Sequence, residues 1–487
     1  MKKRITLSFI VISVFITTLS AQSWNQLGNT ILGTGNVNLL GHSTAISGDG
    51  TTAAIGAPKL SSSGQVQIYT INDTGYTPKG APISGLITGE NFGWSISISQ
   101  DGNTVVIGAP LSNTGRAYIY NWDGSSWTPQ GSPLNGINGD DQFGWDVDIS
   151  SDANTIAISA PLSDQNDFNA GSVTIYKWEN GDWISTSDLF GAETRQEFGK
   201  SIALNESGDV IVIGSPFFFG SYNTGLTGIY ALNSGQWLQQ GDDIFGLTLT
   251  EHLGFAVDIN NEGNRIAAGA FSSSEGKVRV FDWNGLTWDQ IGEDIKGDAN
   301  FDSFGYSLSL NGDGSIVAAG APSNDANGSS SGHAKIYKLI GNEWTARGQN
   351  IEGIQSQDNI GTATALSDDG NKIAIGGSGN TNNGDFTGRA ILYSYTPTTS
   401  TQQAIGSIKL NYGPNPTSRN FNINFDQTYK EINIEIQSIT GHMKSIQTFA
   451  NTKSINLDLD GNTGWYILNI KIESNIVKTI KVFKSSH

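Results

Sequence analysis

The stretch Gly93-Trp94-Ser95-Ile96-Ser97-Ile98-Ser99-Gln100-Asp101-Gly102-Asn103-Thr104-Val105-Val106-Ile107-Gly108-Ala109-Pro110 carries the pattern that decides the fold. In an extended chain Ile96 and Ile98 point one way and Ser95 and Ser97 the other. The segment therefore reads as a strand with a bulky face and a small face. Both faces must be closely covered, as in the inner strand of a propeller blade. Asp101-Gly102 suits a hairpin turn that needs positive φ. Thr104-Val105-Val106-Ile107 then returns as a second strand and ends at Gly-Ala-Pro.

The pattern occurs seven times. Its first glycine is Gly41, Gly93, Gly144, Gly199, Gly254, Gly305 and Gly361. Nine residues on stand Gly50, Gly102, Ala153, Gly208, Gly263, Gly314 and Gly370, and six further Gly56, Gly108, Ser159, Gly214, Gly269, Gly320 and Gly376. Neither internal spacing slips, and successive copies lie 51 to 56 residues apart. A third strand such as Val66-Gln67-Ile68-Tyr69 follows, then a fourth marked by Trp127, Trp183, Trp237, Trp288 or Trp344, with Tyr76 in one copy. Four strands per repeat of this length make a propeller blade. A further Trp strand, Ser23-Trp24-Asn25-Gln26-Leu27-Gly28, precedes the first glycine, and the seventh copy stops after its third strand at 389–393. The expected fold is all-β: a seven-bladed β-propeller over 22–397. Its N-terminal strand becomes the outer strand of the last blade, which closes the ring and removes an exposed edge.

Phe92-Gly93 to Gly108-Ala109-Pro110, Phe143-Gly144 to Ala160-Pro161 and Phe304-Gly305 to Gly320-Ala321-Pro322 resemble the FG-GAP repeats of integrin-α-type propellers. In calcium-binding members of that family the loop between the two strands holds a run of carboxylates. Here the loop is the tight turn Ser99-Gln100-Asp101-Gly102-Asn103. One carboxylate falls short of the six to eight oxygens that Ca²⁺ takes. No metal site is therefore carried over.

Composition fits short strands and turns: 61 Gly and 12 Pro in 487 residues, with 15% charged. Lys2-Lys3-Arg4, an apolar run over 5–16 and Thr17-Thr18-Leu19-Ser20-Ala21-Gln22 read as a signal peptide over 1–21, with an uncleaved anchor as the alternative. No later segment is long and apolar enough to cross a membrane. The chain has no Cys, so it has neither disulfides nor a thiol nucleophile. Of the net charge of −18, the leader carries +3 and the residues from Lys409 onward +3, which leaves −24 on 22–407. So acidic a surface argues against nucleic acid as a partner. It is compatible with cations, basic partners or simple solubility.

Composition shifts near Thr396, and 398–407 reads as a polar linker. Short strands over 421–425, 432–437, 454–459, 466–472 and 477–483 suggest a small C-terminal β-sandwich at 408–487. Pro414-Asn415-Pro416, Thr440-Gly441, Gly464-Trp465-Tyr466 and the tail at 478–484 resemble the C-terminal sorting domain of type IX secretion cargo. Gly413 interrupts that family's Tyr-Pro-Asn-Pro. The resemblance implies recognition by secretion machinery and passage across the outer membrane of a Gram-negative bacterium. Release or surface attachment would follow. A generic sugar-binding or spacer sandwich is the alternative.

Catalytic signatures are lacking. His42, His252, His333, His442 and His487 show no ligand spacing with one another. No nucleophile elbow is present, and the Gly-rich segments recur with the blade period, so they are turns rather than phosphate loops. No cofactor is expected and no catalytic residue is assigned, although 39 Asp/Glu over 22–407 leave acid–base pairs open. Two features stand out. Asp146, Asp148 and Asp258 occupy small-face slots where other copies have Ser or Ala. Each needs partners, channel water or a cation. The loops at 164–169, 217–224, 324–331 and 378–387 vary in length and carry Asp164, Asp167, Asp325 and the triplet Phe217-Phe218-Phe219. Those aromatics either stack on a sugar or protein ligand or pack beneath their loop. The expectation is an exported, non-enzymatic binding or adhesion protein that presents one loop face to a protein or glycan. A polysaccharide hydrolase or lyase, or a structural surface component, is the alternative.

Overall fold

The computed structural model describes residues 23–396, except 35–36, 112, 218–223, 272–273 and 380–385, and residues 410–485, except 414–416, 418–419, 439–442, 460–462 and 473–474. The leader and the linker expected from the sequence lie outside these residues. The chain divides into two compact units, Ala21–Thr398 and one that holds Thr399–His487.

The first unit contains seven antiparallel sheets among its described residues, the blades of a propeller. Their inner strands, in blade order, are Thr44–Ile46, Ile96–Ile98, Val147–Ile149, Ser201–Leu204, Leu253–Ile259, Ser307–Leu310 and Ile360–Leu366. Blade 2 runs outward through Thr104–Ala109, Arg116–Trp122 and Trp127–Pro129. Its second strand is buried along its whole length, because both faces meet neighbouring blades. Each inner strand packs on the next, and that of blade 7 packs on that of blade 1. Blade 7 takes Ser23–Gln26 as its outer strand, with Trp24 opposite Tyr395.

Close backbone contact explains the fixed spacing. A Cβ on Gly214 of blade 4 would lie 1.9 Å from the carbonyl oxygen of Gly254, the first landmark of blade 5. Gly376 of blade 7 meets Gly41 of blade 1 in the same way, also at 1.9 Å. No side chain fits at these points, so the glycines register each blade against the next.

The tryptophans tie the rim. Trp127, Trp183, Trp288 and Trp344 each donate through Nε1 to a carbonyl of the preceding blade, those of Lys79, Gln130, Gln240 and Ile291, at 2.8–3.1 Å. Trp24 does the same to Arg347 at 2.8 Å, so the N-terminal strand behaves as these four fourth strands do. Tyr76 substitutes its hydroxyl, which donates to Asn29 O at 2.7 Å.

A second repeated device escaped the sequence reading. Three residues before each landmark glycine stands a buried acid or amide: Asn38, Glu90, Asp141, Gln196, Glu251, Asp302 and Asp358. Glu251 accepts the N–H groups of Leu247 and Thr248, and Asp358 those of Ile354 and Gln355, so each folds its own approach loop. Buried arginines complete two of these sites: Arg279 pairs with Glu251, and Arg389 with Asp358 at 3.0 Å.

In the second unit, the expected strands at 421–425 and 432–437 form one strand, Asn420–Ser438. Its register breaks between Asn424 and Tyr429. The first half pairs with Leu410–Gly413, the second with Gly464–Ile472, and Met443–Asp458 runs beside both. The sheet covers one core that contains Phe421, Ile434, Leu457, Leu468 and Val482. Tyr466 is buried in that core, and Gly464 pairs with Lys484 at the sheet edge. Pro414, Asn415, Pro416 and Gly441 lie outside the described residues.

Candidate ligand site at the axial mouth

The residue after each landmark glycine opens onto the propeller axis. His42, Trp94, Trp145, Lys200, Phe255, Tyr306 and Thr362, one per blade, all line one cavity of about 440 Å³. All are half-buried. Five carry rings, and these form a collar. His42 and Trp94 have centroids 4.2 Å apart, and Trp94 and Trp145 5.0 Å. The Lys200 ammonium stands 4.1 Å over the Trp145 ring and 5.6 Å from the Phe217 ring. From Phe217 the contacts continue through His252 at 5.3 Å and Phe271 at 5.7 Å to Phe255 at 4.1 Å and Tyr306 at 5.0 Å. The sequence held a signal for this collar: aromatic rings recur at one fixed repeat position, just ahead of the alternating positions that revealed the strand.

Below the collar the wall consists of small-face residues. Inner strands have no partner on the axial side, so alternate N–H groups face the axis. Hydroxyls and carboxylates from the preceding blade cover several of them. Ser95 accepts from Val147 N at 3.2 Å, and Ser201 from Val257 N at 3.1 Å. Asp146 accepts from Ser95 Oγ at 2.7 Å and Ile202 N at 2.8 Å, and so links blades 2, 3 and 4. Asp148 repeats this one layer deeper, with Ser97 Oγ at 2.6 Å and Leu204 N at 2.6 Å. Asp258 accepts from Ile259 N at 2.8 Å and Leu310 N at 2.7 Å. The three aspartates thus act as longer serines that bridge neighbouring blades. They keep some contact with the channel, yet protein surrounds them. Burial pushes the carboxyls of Asp146 and Asp258 up to about 7 against their hydrogen bonds, and raises that of Asp148 as well. Burial, helped by Lys59, lowers His42 to about 4, so this ring is neutral at the mouth.

At the far end the hairpin turns meet. Asp368 of blade 7 accepts from Gln100 of blade 2 at 3.1 Å and Asn261 of blade 5 at 3.2 Å, which bridges the axis. The turn carboxylates are also engaged. Asp101 accepts from Ser99 Oγ at 2.7 Å and Asn103 N at 3.0 Å; burial raises its carboxyl, but these bonds prevail and hold it below its ordinary value. Among the described residues no three His, Asp or Glu side chains are grouped to hold a metal ion.

The loop residues singled out from sequence divide. Phe217 joins the collar through Lys200 and His252. Phe218 and Phe219 lie outside the described residues. Asp164 accepts from Asn169 N at 2.6 Å, Asp167 from Phe168 N at 2.7 Å and Asp325 from Ser330 N at 2.8 Å. These three exposed carboxylates shape their own loops.

Residues 411–484 match the family described as secretion system C-terminal sorting domain, and residues 86–120 and 135–176 match the FG-GAP repeat. The chain carries FG-GAP repeats and a type IX sorting domain. It is thereby a secreted or cell-surface protein. No helix among the described residues is long and apolar enough to cross a membrane. A similar solved structure is that of Kuenenia stuttgartiensis hydrazine synthase, with a TM-score of 0.50 and 11% identity over 77% of this chain and 98% of that one. At this identity the likeness concerns the fold alone. A functionally unknown protein from Desulfotomaculum acetoxidans DSM 771 gives a TM-score of 0.44 and 15% identity over 70% of this chain and 94% of that one. No curated protein matches the chain.

Proposed function

We propose that this protein is an exported, non-enzymatic binding protein that captures an extracellular protein or glycan at the axial mouth of its propeller. One observation carries the reading: six of seven blades place an aromatic ring or Lys200 at the same collar position, around a cavity large enough for a small group of a ligand. Half-buried rings at the rim of a cavity favour binding, since part of their large contact area stays open to it. The sorting domain supports delivery to the outside, where such a ligand would be met.

A polysaccharide hydrolase or lyase is a second reading. Carboxyls raised to about 7 at Asp146 and Asp258 suit proton transfer near neutrality. Against it, both oxygens of each already accept backbone N–H groups. Display of glycan and protein arrays to the full chain and to Trp94→Ala tests the choice. The expected result is a retained ligand whose signal drops at least tenfold in the variant. Turnover of a polysaccharide, or retention untouched by Trp94→Ala, would overturn it.

A further inference from the structure

The collar holds one positive charge of its own and has room for a second. Lys200 sits over Trp145, and Glu197 at 3.0 Å balances its charge, so the collar already receives an ammonium group on a ring face. Further round, Phe255 and Tyr306 lie 5.0 Å apart at 44°, and Phe271 lies 4.1 Å from Phe255 at 63°. Among the described residues no lysine or arginine covers these three rings. Phe255 and Tyr306 both line the cavity, and their mutual tilt means that they present no single flat platform of the kind on which a sugar ring stacks. Their faces carry the negative end of the ring quadrupole. Asp258 follows Phe255 by three residues on the same inner strand, lines the same cavity and accepts from the amides of Ile259 and Leu310. Lys200 is the sole lysine or arginine among the lining residues described, against Asp146, Asp148, Asp258 and Asp368.

We propose that Phe255 and Tyr306, with Phe271 packed against them, form a seat for an alkylammonium group, as carried by a lysine side chain or a polyamine, which enters the axial mouth on the side of Asp258. The inference rests on the mouth being the binding face. The rings supply the seat, and Asp258 adds a negative charge above about pH 7.

Titration calorimetry of the full chain tests this with three probes: acetyl-Gly-Lys-Gly-amide, spermidine and the neutral isostere acetyl-Gly-norleucine-Gly-amide. Both ammonium probes should bind saturably and the neutral peptide should not. The tighter ammonium probe identifies the source of the group. Tyr306→Leu and Phe255→Leu should each weaken binding about fivefold or more while circular dichroism and melting stay unchanged. Equal binding of the norleucine peptide, no binding of either amine, or wild-type affinity in both variants would overturn the proposal. If the amines fail while an array ligand is still lost in Trp94→Ala, only this inference falls. If nothing binds at the mouth, the binding reading falls with it.

Discussion

Asp146 and Asp258 show how one side chain can be legible in sequence while its work is not. Their slots, their departure from Ser or Ala and their need for partners follow from the repeat alone. Their actual partners, the amides of Ile202 and Leu310, lie 56 and 52 residues away and meet them only because adjacent blades pack face to face around the axis. The pH consequence has a definite sign. Each carboxyl titrates near 7 when folded and near 4 when unfolded, so between those values the unfolded chain loses its proton first. Their contribution to stability falls as pH rises from about 4 to about 7 and is level above that. Asp101, Asp152, Asp313 and Asp369, held low by turn hydrogen bonds, act in the opposite sense. Comparison of wild type with the double variant Asp146→Asn, Asp258→Asn isolates the channel pair. As pH falls from 8 to 5 the melting temperature of wild type should rise relative to that of the variant; parallel curves would exclude the assigned protonation. The pair Arg279–Glu251 allows a second test. Both side chains are at most 2% exposed, so Arg279→Met leaves a buried charge and should cost about 3 kcal/mol in urea unfolding. The low end of the usual range is expected because Lys277 stays 3.6 Å from Glu251. Adding Glu251→Gln should recover much of the loss.

Single elements were legible where the period-2 pattern was strong. The offset between seven first strands and seven fourth strands foretold that Ser23–Gln26 completes blade 7, and its pairing with Arg389–Thr396 bears this out. The C-terminal unit was read less well. The expected strands at 421–425 and 432–437 are one strand, because both halves of Asn420–Ser438 find partners in Met443–Asp458. The closure itself is testable. Trp24 is 2% exposed and donates to the preceding blade. Trp24→Ala should cost about 3–5 kcal/mol in chemical denaturation, the range for a buried large aromatic. Leu286→Ala, at a side chain 78% exposed, should change stability by less than about 0.5 kcal/mol. Equal effects would mean that the N-terminal strand is not part of the closed ring.

At the scale of the whole molecule the repeat specifies a scaffold, and function falls to positions that the repeat leaves free. The seven glycine landmarks exist to let backbones touch, as between Gly376 and Gly41. Between those fixed points the residue following each landmark can vary, and there the chain places rings. Sequence reading looked instead to the long loops, since length variation marks them as unconstrained. The collar was missed because its rings come from residues more than fifty positions apart, and only closure of the ring brings them round one axis. The most direct test of the account is hydrogen exchange of the full chain with and without a ligand retained on the arrays. Added protection is predicted at the inner strands and their collar residues, 42–46, 94–98, 145–149, 255–259 and 306–310. Protection confined to the outer strands or to 410–485, with the axial strands unchanged, would contradict it.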